Sequence, residues 1–550
     1  MSTLDAQSDY EPVDPPEAPV LTPPHPSELK SLIRDWRRGR ATRNLSEAFH
    51  DAYVALIGAL MIGAMLLNVV LNASRVVAGC NSSTCVSSRA ILPWAGFAGA
   101  VAIALAISRL FGPVLASAAE GFWLLDAPIS RSAMLRSRLV GIVAAALGGG
   151  IVIGGLISAL TGAEVRGIVV WGIATGLSAA AAVAFAAAQQ GIEKHRLTRA
   201  LSYVFGLIGL AALLAVVGTA AGWFSLGLSA DLGTELGLIM VGFSALVVVL
   251  SLVIAGRRLS QIRRTRLMSG GALVSGISGA FFALDIGLAR DIVVERHALE
   301  VGHVQPARGQ GVGLQALTWR EWQRLRRFPQ PLFVLAGTLV VPYACDALGM
   351  AALTPVFSAL ALFGATIGLL GGLRVLTRTG GLARCFPFST AQIKIAAITV
   401  PAILAAVWAV FIAPAFLGFG DSSTQRGYLE ASIMGLATAA AGLLGGVRWT
   451  TAKGVDFGQP MVSTQAGAIP PGLFTNLFRG FDVVLLTTAP MLLGFSPIWS
   501  LLIAAIAAGI LLNSMDLESM RARQAEQQKL LDEQRKQREA ATTTDRQRKR

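Results

Sequence analysis

The amino-acid sequence predicts an all-α fold: a polytopic helical membrane protein of about twelve transmembrane helices, arranged as two six-span repeats. The composition is that of a membrane protein, because 54% of the 550 residues are hydrophobic, only 14% are charged and the mean hydropathy is +0.61. The apolar runs are too long and too uniform for membrane strands, which alternate over roughly ten residues. Each half also opens with a basic, Trp-bearing amphipathic stretch that leads into about six apolar runs.

The first repeat begins with residues 32–49, where bulky apolar side chains alternate with arginines around Trp36. Such a stretch is typical of an elbow helix, which lies in the inner headgroup layer. Residues 222–234 are too short to cross a bilayer, and they are predicted to form a re-entrant or surface helix. The six predicted spans are residues 52–76, 91–110, 139–160, 168–188, 201–221 and 236–255.

The second repeat opens in the same way, with Trp319 and Trp322 among the arginines of residues 319–327. The last apolar block, residues 483–512, is long enough for two spans, and Pro490 and Pro497 predict a tight turn between them. The predicted spans are residues 331–348, residues 353–373, a third that ends at Leu417, residues 431–447, and the two parts of residues 483–512.

The chain is thus predicted to contain two repeats, a linker and two tails. Lys and Arg cluster on the loops of one side, which predicts a multi-pass protein of the cell membrane with both termini in the cytoplasm. The N-terminal tail is acidic and rich in proline, and it lacks the apolar core of a signal peptide. The regions are a disordered tail (1–27), the first elbow and repeat (28–260), a cytoplasmic linker with a membrane-hugging helix near residues 281–294 (261–318), the second elbow and repeat (319–513), and a charged cytoplasmic tail (514–550).

A short Pro–Ser element lies on the loop after the second span of each repeat. Proline fits the first turn of a helix, and Ser or Asp can cap its free amides, so each element predicts a rigid, capped helix start. The alternative is an ordinary N-capped helix of no special function. The residues of the first element are Asp126, Pro128, Ser130 and Arg131, and those of the second are Phe386, Pro387 and Ser389.

Cys80 and Cys85 flank a short polar loop on the side opposite the arginines. Disulfides persist outside the cytoplasm, so the two cysteines are predicted to form one there, the alternative being two free thiols. Cys345 and Cys385 are predicted to stay reduced.

The sequence lacks the motifs of several common kinds of catalytic and binding site. There is no phosphate-binding Gly-x-x-x-x-Gly-Lys-Ser/Thr loop, no His-Glu-x-x-His and no Gly-x-Ser-x-Gly. No carboxylate pair lies within a span core, where an ion-coupled carrier would keep one, although Asp346 lies at a span edge. The net charge of +14 belongs to the loops and does not predict nucleic-acid binding, and the five histidines match no metal signature. No cofactor or metal is therefore expected.

The arrangement resembles the membrane subunits of ABC-2-type exporters, in particular actinobacterial permeases that fuse two six-span halves. That family has an elbow helix before each half and a coupling helix between its second and third spans. Here the elbows map to residues 32–49 and 319–327, and the coupling loops to residues 122–138 and 382–394. The family's Leu-Pro-Val-Ser-Arg-like element is close to Asp126–Arg131, while the second copy lacks the arginine.

The resemblance implies a permease without an ATP site of its own, coupled through these two loops to separate ABC ATPase subunits in two copies. The alternative is a twelve-span secondary carrier, and a membrane enzyme ranks third because no catalytic constellation is present. Apolar walls with few fixed charges suit a lipid-like, amphipathic or peptide cargo.

Overall fold

The computed structural model describes residues 83–512 with short gaps, residues 527–534, and scattered positions between 28 and 75. The gaps are residues 124, 126–129, 193–194, 221–222, 225–229, 283–285, 304, 348–349, 380, 383–384, 419–425, 453–461, 465–466 and 470–477. Asp126, Pro128 and Cys80 lie outside the described residues, as does the side chain of Cys85.

Six helices and one 3-10 turn make up the described first half. They are α1 (Ser83–Phe111), α2 (Ala118–Trp123), α3 (Arg131–Leu160), α4 (Val165–Gln190), α5 (His195–Ala220), α6 (Ala230–Arg258) and the turn Leu259–Gln261. An apolar helix, Leu56–Asn72, precedes them and is described at only part of its positions.

Helix α1 begins earlier than the sequence predicts. The expected span starts at residue 91, but the helix extends back to Ser83, so Cys85 lies in a helix rather than in a loop. Tertiary contacts explain the extension, because the Ser88 and Thr219 hydroxyl oxygens lie 2.8 Å apart and Arg89 Nε donates to the Thr161 carbonyl oxygen at 2.6 Å. Ser88 and Arg89, which precede the predicted span, therefore join α1 to its neighbours.

Helix α4 is the buried centre of the first half, and small residues allow its neighbour α3 to approach closely. A Cβ at Gly154 would lie 2.6 Å from the Cβ of Thr175, and one at Gly176 would lie 2.8 Å from the Leu147 carbonyl oxygen. Small residues at such interfaces are typical of helices that pack in lipid, where close van der Waals contact replaces the hydrophobic effect.

The predicted linker contains two helices, α7 (Arg264–Phe282) and α8 (Ile286–Val301). The helix expected near residues 281–294 corresponds to α8, which begins at Ile286 and continues to Val301, and α7 is an additional helix before it. Helix α7 is fixed to the loop after α1, where Ala116 N donates to the Leu267 carbonyl oxygen at 3.2 Å. The stretch 305–313 that follows α8 is exposed at every position.

The described residues of the second half form nine helices. They are α9 (Leu314–Arg327), α10 (Gln330–Gly337), α11 (Val340–Ala347), α12 (Thr354–Leu369), α13 (Gly371–Arg378), α14 (Thr390–Leu417), α15 (Tyr428–Thr450), α16 (Phe481–Leu492) and α17 (Pro497–Leu512). A hairpin of two three-residue strands, Val462–Thr464 and Gly467–Ile469, lies between α15 and α16 and was not predicted.

Two sharp bends mark the second half. Helix α9 meets the following apolar helix pair at 80°, and α12 meets α13 at 63°. The first bend fits the predicted elbow, because α9 ends in three arginines and cannot continue into hydrocarbon. The second bend divides the predicted span 353–373, since α12 ends at Leu369. Helix α15 packs against both α12 and α14 and is mostly buried, although less so than α4 in the first half.

The two halves meet along α5. Gln330 Nε2 donates to the Tyr203 hydroxyl at 3.1 Å, and Val217 of α5 packs with Tyr343 of α11 and Ala415 of α14 in one apolar cluster. The fifth predicted span of the first half therefore contacts the first predicted span of the second.

Seven helices of the described residues are long and apolar enough to cross a bilayer, or up to nine if each bent pair counts as one span. Three shorter apolar helices accompany them: Leu56–Asn72, α16 and α17. Apart from the small hairpin the described chain is helical, so the protein is a polytopic helical membrane protein, as the sequence predicts.

Candidate functional site

The loop after α1 is built around one carboxylate. Glu120 and Ser117 form reciprocal bonds, since Ser117 N donates to Glu120 Oε2 at 3.0 Å and Glu120 N donates to Ser117 Oγ at 3.2 Å. Arg138 Nη2 lies 2.7 Å from Glu120 Oε1, and its Nη1 donates to the Leu115 carbonyl oxygen at 2.6 Å. Burial alone would raise the pKa of Glu120, but its bonds to Arg138 and Ser117 outweigh burial and lower the pKa to about 2.

Two aromatic rings project from this loop. Phe122 and Trp123 end α2, and their side chains are 61% and 74% exposed. The guanidinium of Arg264 lies 5.4 Å from the centre of the Phe122 ring. The predicted coupling loop therefore presents an exposed aromatic pair on a helix that an ion pair holds in place.

The described part of the first Pro–Ser element does not form the predicted cap. Ser130 precedes α3, but its side chain makes no capping hydrogen bond. Its carbonyl oxygen accepts the amides of Ala133 at 3.1 Å and Met134 at 3.4 Å. Arg131 Nε donates to the Leu125 carbonyl oxygen at 3.1 Å, which closes the loop onto α3.

The second Pro–Ser element does form a cap. Ser389 Oγ accepts the Gln392 amide at 3.3 Å, and Gln392 Oε1 accepts the Ser389 amide at 3.0 Å, which together make a capping box at the start of α14. Pro387 is exposed, while Phe386 is half-buried. This loop therefore enters α14 through a rigid, capped turn.

A cluster that the sequence did not single out lies beside the bend between α12 and α13. Arg374 binds Asp291 of α8 through both oxygens, at 2.5 Å from Nε and 2.7 Å from Nη2. Its Nη2 also donates to the Gly287 carbonyl oxygen at 2.9 Å. Because Arg374 is only 5% exposed, its bidentate ion pair with Asp291 compensates a buried charge. The same ion pair joins the linker to the second half.

Two further arginines bind the last carbonyl groups of α12. Arg324 of α9 donates to the Leu369 carbonyl oxygen and lies 2.9 Å from Glu321, and Arg290 of α8 donates to the Ile367 carbonyl oxygen at 2.6 Å. Cations are favoured there because unpaired carbonyls end the helix. Burial, and then the nearby charge of Arg374, lower the pKa of Arg290 to about 10.

A glycine at position 371 allows Arg324 to lie close to the end of α12. A Cβ at Gly371, the first residue after the break, would lie only 2.8 Å from Arg324 Nη1. We call the group formed by Arg290, Asp291, Glu321, Arg324 and Arg374 the arginine junction. It connects the linker helix α8, the elbow α9 and the bend between α12 and α13.

Sequence reasoning missed the arginine junction, although one signal pointed to it. Asp285, Arg290 and Asp291 stand out as charges in a mildly apolar stretch, and they served only to exclude a further span. Their density at the start of α8 predicts a polar contact, but not its partners.

The structure also describes the two cysteines that are predicted to stay reduced. Cys345 is a buried free thiol and Cys385 an exposed one. The Cys80–Cys85 disulfide falls on atoms outside the described residues and stays a prediction. Within the described part of the chain, no group of three or more His, Cys, Asp or Glu residues is placed to hold a metal ion.

Comparison with known proteins gives one match. No curated protein and no solved structure matches the chain. Residues 85–460, more than half of the chain, match the family described as "Family of unknown function (DUF6297)". The matched region begins in α1 and ends after α15, so it includes both Pro–Ser loops, the linker helices and the arginine junction. The chain is therefore a member of the DUF6297 family.

Proposed function

We propose that this protein is the permease subunit of an ATP-driven, ABC-2-type exporter, and that it forms the translocation pathway for separate ATPase subunits present in two copies. It lies in the cell membrane with both termini in the cytoplasm, and the arginine-rich helix ends face the ATPase. Apolar walls make a lipid-like or amphipathic cargo the best fit.

The helix inventory supports twelve spans. The seven long apolar helices, the two bent pairs and the three shorter apolar helices each coincide with one predicted span. In the first bent pair, α9 serves as the elbow and α10 with α11 as the span. A turn at Gly494, with φ of 78°, separates α16 from α17 where the two prolines predicted a hairpin.

The packing supports an internal repeat. In the first half, α1 packs on α4 and α5, and α3 packs on α4. In the second half, the helices at equivalent positions pair in the same way: α12 packs on α15 and α16, and α14 packs on α15. Two units with the same neighbour relations suit a pathway that lies between them.

The observation that carries the proposal is the pair of equivalent loops. In each half, the loop after the second span leads through a Pro–Ser element into a long apolar helix on the arginine-rich side. The first loop is fixed by Glu120 and Arg138, which are 2.7 Å apart, and the second by the capping box of Ser389 and Gln392. Loops fixed in this way can pass a partner's movement to the spans rather than absorb it.

The test is purification of the tagged full-length chain from its native membrane. We expect a protein with a phosphate-binding loop to co-purify with it, the chain alone to hydrolyse no ATP, and the complex to do so in proteoliposomes. Hydrolysis by the isolated chain, or cargo movement driven by an ion gradient without any ATPase, would reject the proposal. The second of these results would favour the secondary carrier.

A further inference from the structure

The first half contains a large apolar groove that the proposed function does not use. Its volume is about 1160 Å³, somewhat larger than the roughly 300–1,000 Å³ typical of ligand pockets. Helices α1, α3, α4 and α7 form its walls, and Ser108 and Ser278 are the polar side chains among the described lining residues.

The groove follows α1 over most of its length. Its lining extends from Leu92 to Phe111 of that helix, which at 1.5 Å per residue is about 28 Å, close to the thickness of a bilayer core. Ile103 and Ile107 line the groove and yet are 59% and 53% exposed, so it is open along its side. An opening of this kind on a membrane helix faces acyl chains rather than water.

Arginines surround the end of the groove at Phe111. Arg266 Nη2 donates to the Arg109 carbonyl oxygen at 3.1 Å, next to the lining residue Ser108. Arg138 donates to the carbonyl of Leu115, which also lines the groove. We call Arg109, Arg138, Arg264 and Arg266 the arginine rim. Glu120 forms an ion pair with Arg138. The sequence segments that carry the rim, residues 109–138 and 257–266, contain nine arginines and only two carboxylates, Glu120 and Asp126, so their net charge is positive.

We propose that this groove binds an anionic glycerophospholipid of the cytoplasmic leaflet, with an acyl chain along α1 and the phosphate at the arginine rim. An apolar channel that ends in a basic mouth is complementary to a molecule with a long hydrocarbon chain and an anionic head. Basic pockets between transmembrane helices on the cytoplasmic side recognise such headgroups. The inference uses the orientation proposed above but requires neither transport nor an ATPase.

The groove wall contributed by α7 adds a structural role for the lipid. Val274, Ile277 and Phe281 lie on one face of α7 and complete the wall opposite α1. Because α7 belongs to the linker, a lipid in the groove would hold the linker against the first half.

Two neighbouring glycines provide the first test. A Cβ at Gly149 or at Gly148 meets no atom within 4 Å, but only Gly149 is among the groove-lining residues. The measurement is retention of phosphatidylglycerol by the full-length chain in native mass spectrometry. Gly149→Leu should reduce this retention about tenfold, which corresponds to the loss of about two buried methylene groups of the lipid. Gly148→Leu should retain as much lipid as the wild type. Equal retention by the two variants would overturn the groove assignment.

Gly99→Leu gives an independent obstruction from α1, where an added Cβ also meets no atom within 4 Å, in case Gly149→Leu fails to fold. The second measurement uses wild-type chain in phosphatidylcholine nanodiscs. Phosphatidylglycerol added in small amounts should raise the melting temperature, and a photoreactive phosphatidylglycerol should crosslink to α1, α3 or α7. Equal stabilisation by further phosphatidylcholine, or crosslinks only outside these helices, would overturn the headgroup assignment.

Discussion

The ammonium group of Lys394 donates a hydrogen bond of 2.6 Å to the carbonyl oxygen of Leu511, and a longer one of 3.3 Å to that of Leu512. Lys394 lies in the second turn of α14 and is only 1% exposed. A buried cation is favoured here because it meets the carbonyl groups at the C-terminal end of α17, where the helix dipole is negative. The start of the third predicted span of the second half is thereby joined to the last helix of the chain.

Replacement of this cation should loosen the last helix. Lys394→Met keeps the length of the side chain but removes the two hydrogen bonds that the ammonium group donates, so it should lower the free energy of unfolding by about 1–3 kcal/mol. Lys394→Arg should recover most of the loss. The measurement is thermal unfolding of the purified chain in detergent, and identical melting temperatures for the Met variant and the wild type would contradict the assigned role.

The arginine junction should be far more sensitive than a surface pair. Asp291→Asn leaves the charge of the buried Arg374 without its carboxylate, and we expect a loss of about 2–3 kcal/mol, below the full value for a buried pair because Asp291 is partly exposed. Arg166 and Glu235 are 3.2 Å apart with both side chains about two-thirds exposed, so they form a matched control. Glu235→Gln should change stability by at most about 0.5 kcal/mol. Equal effects of the two substitutions would show that the junction is not a structural element.

The ion pair of Glu120 predicts a specific dependence on pH. Because folding lowers the pKa of this carboxyl group to about 2, its stabilising effect is complete above the ordinary value near 4.5 and disappears as the pH falls towards 2. The wild type should therefore exceed Glu120→Gln in stability by a constant amount from pH 7 to about pH 5, and the difference should shrink below that. Unfolding of both proteins along a pH series is the measurement, and a difference that grows in acid would contradict the assignment.

The Pro–Ser loops should be needed for coupling rather than for folding. Pro128→Gly, Asp126→Ala and Pro387→Gly should each leave the chain folded and inserted while weakening ATPase association or transport, because a flexible loop absorbs the partner's movement. Ser389→Ala removes the capping box as well, at about 1 kcal/mol of local stability. The assay is transport at matched expression. Full transport by a variant with both prolines replaced would favour the secondary carrier.

Cysteine labelling of intact cells checks the orientation. Ser422 lies outside the described residues, in the outer loop that the sequence predicts over residues 420–430. A cysteine placed there should react with a membrane-impermeant reagent from outside, whereas one at Ser389 should react only after the membrane is opened. The reason is the clustering of Arg and Lys on the side of Ser389. The reverse pattern would invert the topology.

Features encoded locally in the sequence were predicted well. Long apolar runs predicted the helices, and the basic amphipathic stretch with Trp319 and Trp322 predicted the helix α9, which begins five residues earlier, at Leu314. The Ser389 cap follows from a serine three residues before a glutamine. These signals need no knowledge of the distant chain.

Features that depend on distant partners were not predicted. Asp291 and Arg374 are separated by 83 residues, and Lys394 and Leu511 by 117, so nothing local identifies either contact. The break of α12 at Leu369 was also missed, because the run 353–373 is apolar throughout its first part and only the three-dimensional approach of Arg324 and Arg290 shows why the helix ends there. Helix α1 was predicted too short for a related reason, since its polar first turns are stabilised by α5.

The contact between the linker helix α8 and the second half indicates where the chain could be divided into two fragments. Helix α8 precedes the exposed stretch 305–313, yet Asp291 on α8 binds Arg374 beyond it. A polypeptide cut within 305–313 would leave the aspartate on one fragment and its arginine on the other. Two fragments translated separately would thus carry a charged, shape-specific contact for recognising each other, in addition to the apolar contact along α5. We therefore expect two fragments divided within 305–313 to reassemble when they are expressed together.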